Sequence, residues 1–141
     1  MLRCLPLLPL VLTFLACATP SAPIVAEGRP NWDMLADLGT VEVVTADADG
    51  EARVTTIWLA VVDEQGYIRT GDTRWFANLK RDPALKLRAG GAEYAVKSEL
   101  VEDAALNTRI DAAFRTKYGF SDRVVSFFRG DGSNRMRLVP R

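Results

Sequence analysis

Apolar and polar positions alternate with a period of two over much of the stretch from Thr40 to Leu100, and switch to a helical period at intervals. Thr40 to Thr45 is β-branched and reads as a strand. Asp47-Ala48-Asp49-Gly50 is a turn, and the next strand runs from about Glu51 to Val62. Asp63 to Gly66 turns again into Tyr67–Gly71. Leu85 and Leu87 alternate with Lys86 and Arg88, a strand with one wet face, and Gly90-Gly91 folds it back onto Tyr94–Leu100. A last strand covers about Arg135 to Val139. Between these lie helices. Asn31 caps one that reaches Gly39, with Trp32, Leu35 and Leu38 inward. Another runs from Thr73 to Arg81, with Trp75, Phe76 and Leu79 as core residues and Lys80 and Arg81 facing solvent, and stops near Pro83. Asp103 caps the longest, where Leu106, Ile110, Ala113, Phe114 and Tyr118 recur at helical spacing until Gly119 stops it. Ser121 opens a further short helix with Val124, Val125, Phe127 and Phe128. Six or so short antiparallel strands with inserted helices predict an α+β arrangement around a small β-barrel.

The beginning of the chain is different. Arg3 is the only charge before Glu27, and Leu5 to Ala16 is apolar but broken by Pro6 and Pro9. The run is too short to span a bilayer, which takes about 20 apolar residues. A basic start, a short apolar run and a small residue before a cut site form a secretory signal. Phe14-Leu15-Ala16-Cys17 resembles the lipobox of bacterial lipoproteins, which implies cleavage before Cys17 and acylation of that thiol. An ordinary cleaved signal is the other reading; a buried helix fits poorly with the two prolines. The expected organisation is a signal over 1–16, a proline-containing tether over 17–30 and one domain over 31–141. No Arg-Arg pair precedes the apolar run, so export is of the Sec type, and the chain crosses unfolded. Any cofactor would then be captured outside the cytoplasm. Ala18, not Asp, follows the lipid cysteine, which by the same resemblance points to the outer membrane. The expected location is the cell envelope, lipid-anchored and periplasm-facing.

Composition narrows the chemistry. The 141 residues include no histidine, so no Ser-His-Asp triad, Cys-His pair or His-ligated metal site is available. Of the two cysteines, Cys4 would leave with the signal and Cys17 would carry lipid, leaving no thiol for a disulfide, a metal or a nucleophile. Eighteen basic and 18 acidic side chains balance, which argues against nucleic acid as a partner. What remains are Arg, Lys, Thr, Tyr, Trp and carboxylates. These hold ligands well and shuttle protons poorly near neutral pH, which fits a site where a bound cofactor carries the reaction.

Two segments are candidates for holding such a cofactor. In Arg53-Val54-Thr55-Thr56-Ile57-Trp58, strand alternation puts Arg53 and Thr55 on one face and Thr56 and Trp58 on the other. A cation beside a hydroxyl suits a phosphate; the same pattern also reads as the polar end of a strand. Thr70-Gly71-Asp72-Thr73-Arg74-Trp75 leads from a strand into a helix N-terminus, where free N–H groups attract anions and Arg74 can fork two hydrogen bonds. Asp72 as a helix cap would occupy those same N–H groups. Trp58 and Tyr94 could flank a planar ring or sit in the core.

These residues carry a resemblance. Gly50-Glu51-Ala52-Arg53-Val54-Thr55-Thr56 resembles the G-x-x-R-x-T strand of the deazaflavin-dependent nitroreductases. Tyr67-Ile68-Arg69-Thr70, followed by Trp75-Phe76-Ala77-Asn78-Leu79 and Pro83, is similar to their strand and W-x-x-N-L-x-x-x-P helix. The order and spacing also resemble the pyridoxamine 5′-phosphate oxidases; both are flavin-type split barrels. Tyr118-Gly119-Phe120-Ser121-Asp122 and Arg137-Leu138-Val139-Pro140 are similar to an uncharacterised bacterial branch, domain of unknown function 2255. The resemblance implies a six-stranded antiparallel split β-barrel, a homodimer, and FMN or a deazaflavin near the subunit interface. By position, Arg53, Thr55 and Arg74 would contact the cofactor phosphate, and Thr56, Trp58, Thr70 and Gly71 would line the ring and ribityl chain. Trp75 and Asn78 would fix the helix. The loop before that helix is shortened here to Gly71-Asp72-Thr73 and contains an acid, a departure from the nitroreductases. Two readings follow. One is a membrane-tethered flavin- or deazaflavin-type reductase acting on a small organic acceptor. The other is a non-catalytic envelope lipoprotein, without cofactor, that uses the same barrel to bind a small ligand or a protein.

Overall fold

The computed structural model describes residues 22–129 and 133–141. The predicted signal, its cut site and Cys17 lie outside the described residues. In chain order the elements are β1 (Ile24–Val25), α1 (Trp32–Leu35), β2 (Val41–Ala46), β3 (Ala52–Ile57), β4 (Ala60–Val62), β5 (Gln65–Thr70), α2 (Arg74–Arg81), β6 (Ala84–Ala89), β7 (Ala92–Leu100), α3 (Ala104–Arg129) and β8 (Asn134–Pro140).

The strands hydrogen-bond in the order β3-β2-β6-β7-β8-β5-β4. The two ends of this path, β3 and β4, are consecutive in sequence and joined only by Trp58 and Leu59. Three Cα steps reach about 11 Å. The ends of the sheet therefore lie close together, and the sheet curls into a split barrel in an α+β fold.

The single strand expected over Glu51–Val62 is thus two. Its first half pairs with β2, Thr45 opposite Arg53 and Val43 opposite Thr55. Its second half pairs with β5 on the other flank, Ala60 opposite Tyr67. The apolar run continues through the break because Leu59 plugs the barrel and is fully buried. The strand count exceeds six for this reason and because β1, inside the expected tether, adds parallel to the start of β7. Every other pairing is antiparallel.

Two apolar clusters hold the barrel. The inner one joins Val43, Ile68, Leu87 and Val96 of the sheet to Trp32 of α1 and Phe76 of α2. The outer one lies under α3, where Ile110 and Phe114 cover Ala60 and Tyr67. Strand β5 is consequently buried on both faces, Ile68 inward and Tyr67 toward α3. Asn31 caps α1 through the Met34 N–H, and Asp103 caps α3 through the Leu106 N–H at 2.6 Å. Gly119, at φ 55°, ψ −124°, leaves the helical conformation inside the α3 span, so two helices meet at a kink there, as the stop at Gly119 and the restart near Ser121 predict. Among the described residues no helix is long and apolar enough to cross a membrane.

Candidate functional site

The turn after β2 places a carboxylate where β3 and α2 meet. The Asp47 N–H donates to the Glu51 carbonyl at 2.8 Å, and Gly50, at φ 87°, closes the turn by donating to the Asp47 carbonyl at 2.9 Å. A left-handed residue is needed there, and glycine supplies it without steric cost. Thr45, Arg53 and Thr55 share the face turned toward α2. Helix α2 starts at Thr73, whose hydroxyl accepts the Phe76 N–H at 3.3 Å. Thr73, not Asp72, is the cap: the extended backbone at Thr73 aims its short hydroxyl at the first turn. The helix lays Asn78 against the sheet, its amide donating to Thr45 Oγ1 at 3.0 Å and Asp47 Oδ1 at 2.8 Å.

Both candidate guanidinium groups converge on Asp47. Arg53 grips it side-on, Nε to Oδ1 and Nη2 to Oδ2, each at 2.9 Å. Arg74 reaches Oδ2 from α2 at 3.1 Å. Side-chain exposure rises from 9% at Asp47 to 31% at Arg53 and 68% at Arg74. The carboxylate is therefore the floor of the group, and the arginines stand between it and solvent. The Arg53 hydrogen bonds, and then that of Asn78, hold the Asp47 carboxyl far below the usual carboxylate range, against the opposing effect of burial. Asp47 in turn raises the Arg53 pKa. Arg81, expected to face solvent, is exposed yet donates to the Ala46 carbonyl at 2.6 Å and to Asn78 Oδ1 at 3.2 Å.

The remaining predicted residues divide. Thr55 is half-buried on the Arg53 face. Thr70 is buried at the end of β5, its hydroxyl 2.9 Å from that of Thr73, so it ties the strand to the helix cap. Gly71 follows with open space around it. Thr56 points to the opposite face, into a cleft of about 470 Å³ that Glu42 and Arg88 also line. Trp58 leaves β3 altogether and stacks on Tyr118 of α3, centroids 4.4 Å apart and planes 8° from parallel. The structure thus joins Arg53 with Arg74 and Thr70 with Gly71, and takes Thr56 and Trp58 elsewhere. Cys17 lies outside the described residues. Among the described residues no group of His, Cys, Asp or Glu side chains could hold a metal ion.

Sequence reasoning missed Asp47 and read it only as a turn residue. The signal was present: Asp47 precedes the turn glycine and Arg53 follows it on the paired strand. A second ion network, also unread, lies under α3. Arg69, buried on β5, pairs with Asp111 at 3.1 Å and with Asp122, and its guanidinium sits 4.1 Å from the Phe114 ring centroid. Asp111 also takes Arg135 at 2.7 Å.

A family described as an uncharacterized protein conserved in bacteria (DUF2255) matches residues 32–135, from α1 into β8. The chain belongs to this family. No curated protein matches it in sequence. Among solved structures, it is similar to a conserved hypothetical protein from Mycobacterium tuberculosis, at 21% identity and a TM-score of 0.64, over 88% of this chain and 86% of that one. It is also similar to HutZ, the heme storage protein from Vibrio cholerae, at 18% identity and a TM-score of 0.60, over 73% and 82% of the two chains. An F420 reductase shares 15% identity and a TM-score of 0.54 over 81% of this chain and 96% of its own. At these identities the likeness is one of fold, the split barrel of this DUF2255 protein.

Proposed function

We propose that this DUF2255 protein is a cofactor-binding split barrel whose Arg53, Thr55 and Arg74 hold the phosphate of a flavin- or deazaflavin-type cofactor. The observation that carries this reading is the convergence of Arg53 from β3 and Arg74 from α2 on one small anion, the Asp47 carboxylate. Two guanidinium groups share a single buried negative charge, so the pair keeps net positive charge on its solvent side. Asp47 orients both arginines from below, and each guanidinium retains N–H donors that Asp47 does not use. Such an arrangement fits a phosphate arriving from solvent. Thr70 and Gly71, which fix the start of α2 and leave open space there, suit the chain that leads from phosphate to ring. The bound cofactor would supply hydride or electron transfer to a small organic acceptor. The barrel would supply binding and orientation, since there is no histidine or cysteine among the described residues to move protons. The lipid anchor at Cys17, the periplasm-facing location and a homodimer with the cofactor near its interface belong to the same reading. The fold likeness to an F420 reductase supports it.

The test is a titration of the full-length protein in detergent with FMN and with a deazaflavin, read by fluorescence quenching. Binding that weakens at least tenfold in Arg53→Ala or Arg74→Ala is expected. Absence of quenching by either cofactor up to high micromolar concentration overturns the reading. A second reading is favoured by the side-on grip of Arg53 on Asp47, which already satisfies that fork: a non-catalytic envelope lipoprotein using the barrel to bind a small ligand or protein. A yellow, reducible protein isolated from the envelope would exclude it.

A further inference from the structure

The exposed apolar side chains of this protein are unevenly placed. Six large ones stand out among the described residues, and three of them, Ile24, Val25 and Met34, are 76%, 75% and 76% exposed at one end of the barrel. The first two form β1, which is tied to the β6–β7 turn where the Ile24 N–H donates to the Gly91 carbonyl at 3.1 Å. Met34 projects from α1. That helix lays Trp32 over Gly66, beside the β4–β5 turn, and Leu35 against Gly90, so it covers the same barrel end and turns Met34 outward. Pro23 and Leu38 line one cleft with Gly90 and Gly91, which joins the two elements on one surface. Of the other three, Leu100 lies at the far end of β7.

Single exposed apolar side chains are ordinary. These three gather where the chain leads to its predicted lipid. Seven Cα steps separate Cys17 from Ile24, a reach of at most about 25 Å. β1 pins the tether to β7 at Ala92 and Glu93, so the residues that follow add no slack. An acylated Cys17 therefore holds this end of the barrel against the bilayer, and not the other. A surface so placed gains by burying its apolar side chains at the boundary between headgroups and acyl chains. The charge around it selects the lipid. Asp33 and Asp37 flank Met34, and Glu64 stands in the neighbouring turn, with the exposed Arg29 beside it. This mostly acidic rim is repelled by anionic headgroups and tolerates zwitterionic ones.

We propose that Ile24, Val25 and Met34 form a membrane-contact surface that seats the barrel on zwitterionic lipid. The inference rests on the lipid anchor at Cys17 and goes beyond the cofactor reading. It also fixes an orientation. Strand β2 starts at this end with Val41 and carries Asp47 six residues, about 20 Å, away from it. The Arg53–Arg74 corner then faces the aqueous side, and its ligand arrives from solution rather than from the bilayer.

The test places a fluorophore on this surface. The full-length protein carrying Met34→Cys is purified from the envelope, labelled with an environment-sensitive dye and reconstituted into phosphatidylcholine vesicles with brominated acyl chains. Once Cys4 has left with the signal and Cys17 is acylated, the chain has no other thiol to label. Glu102→Cys, exposed and two residues beyond the far end of β7, is the control. The label at 34 is expected to shift to the blue and to be quenched at least about twofold more than at 102, because an interfacial apolar face sits roughly 5–10 Å below the headgroup boundary. Ile24→Ser with Val25→Ser should remove most of that difference, and adding phosphatidylglycerol should reduce it. Equal quenching at 34 and 102, in protein whose Cys17 is acylated by mass spectrometry, overturns the contact surface and leaves the anchor intact. An unacylated Cys17 overturns both. A blue shift without quenching by brominated lipid gives the surface to a second copy or another protein and overturns the lipid assignment. Stronger quenching on anionic vesicles overturns the choice of zwitterionic lipid.

Discussion

Gly66 lies in β5 opposite Val61, with the buried Trp32 indole lying directly on its backbone. A Cβ at this position would come within 2.7 Å of Trp32 Cη2, and closer still to Cζ3 and Cε3. The indole would have to retreat by more than an ångström to restore ordinary contact. It has nowhere to go, because it is 3% exposed and packed in the inner core. The strand cannot move either, since Gly66 is held in register between β4 and its own hairpin turn. Overpacking of this kind costs ~1–3 kcal/mol. Gly66→Ala should therefore lower the urea midpoint by roughly 1 M, given a slope of about 1–3 kcal/mol/M. The melting temperature should fall by roughly 4–24 °C at about 4–8 °C per kcal/mol for a small domain. Urea denaturation followed by tryptophan fluorescence measures it. The same substitution in a Trp32→Leu background isolates the cause: the smaller side chain leaves room, and the added cost of the alanine should nearly vanish. A Gly66→Ala protein within ~0.5 kcal/mol of the parent, the range of ordinary surface changes, refutes the packing argument. So does an undiminished cost in the Trp32→Leu background.

Arg69→Met leaves Asp122 buried without its cation and should cost ~3–5 kcal/mol, most of it recovered by adding Asp122→Leu; chemical denaturation of the single and double variants checks this. Asp47 and Glu93 are held below their ordinary carboxylate values chiefly by their basic partners, and Asp111 is lowered although burial alone would raise it, because Arg135 and Arg69 prevail. Depressed folded-state values stabilise the protein above the unfolded carboxylate range, and that stability is lost as pH falls through and below about 4. Urea midpoints measured from pH 7 to pH 2.5 should decline over that window, and less steeply in Asp111→Asn. Asp63 and Glu64 form the β4–β5 turn with φ of 50° and 56°. Two-residue hairpin turns of this type favour glycine, so Glu64→Gly, which spares the Asp63–Arg109 pair, should stabilise by up to ~1 kcal/mol by calorimetry.

Local chemistry made several of these features legible from sequence. Asn31 and Asp103 announced helix starts, Gly50 and Gly90-Gly91 announced turns, and the leucine–lysine alternation of β6 announced a strand with one wet face, because each depends only on residues within a few positions. Asp72 misled because two candidate caps stand side by side, and backbone geometry rather than residue type chooses between them. The break at Trp58-Leu59 left no mark in the hydrophobic pattern, since both residues remain shielded in whichever cluster receives them.

The sequence by itself determined most of the helices and strands (though neither the break inside Glu51–Val62 nor β1), the absence of histidine and thiol chemistry in the barrel, and the pairing of a basic residue with a hydroxyl at Arg53 and Thr55. Only the tertiary structure decided that Arg53 and Arg74, 21 positions apart, meet, and that they meet on Asp47. A charge is neutral to local pattern: whether it faces solvent, a ligand or another side chain depends on which strand and which helix the closing barrel brings beside it. The same closure carried Trp58 away from the strand that precedes it and onto Tyr118, because a sheet whose two ends are joined by two residues cannot keep both of them on one wall.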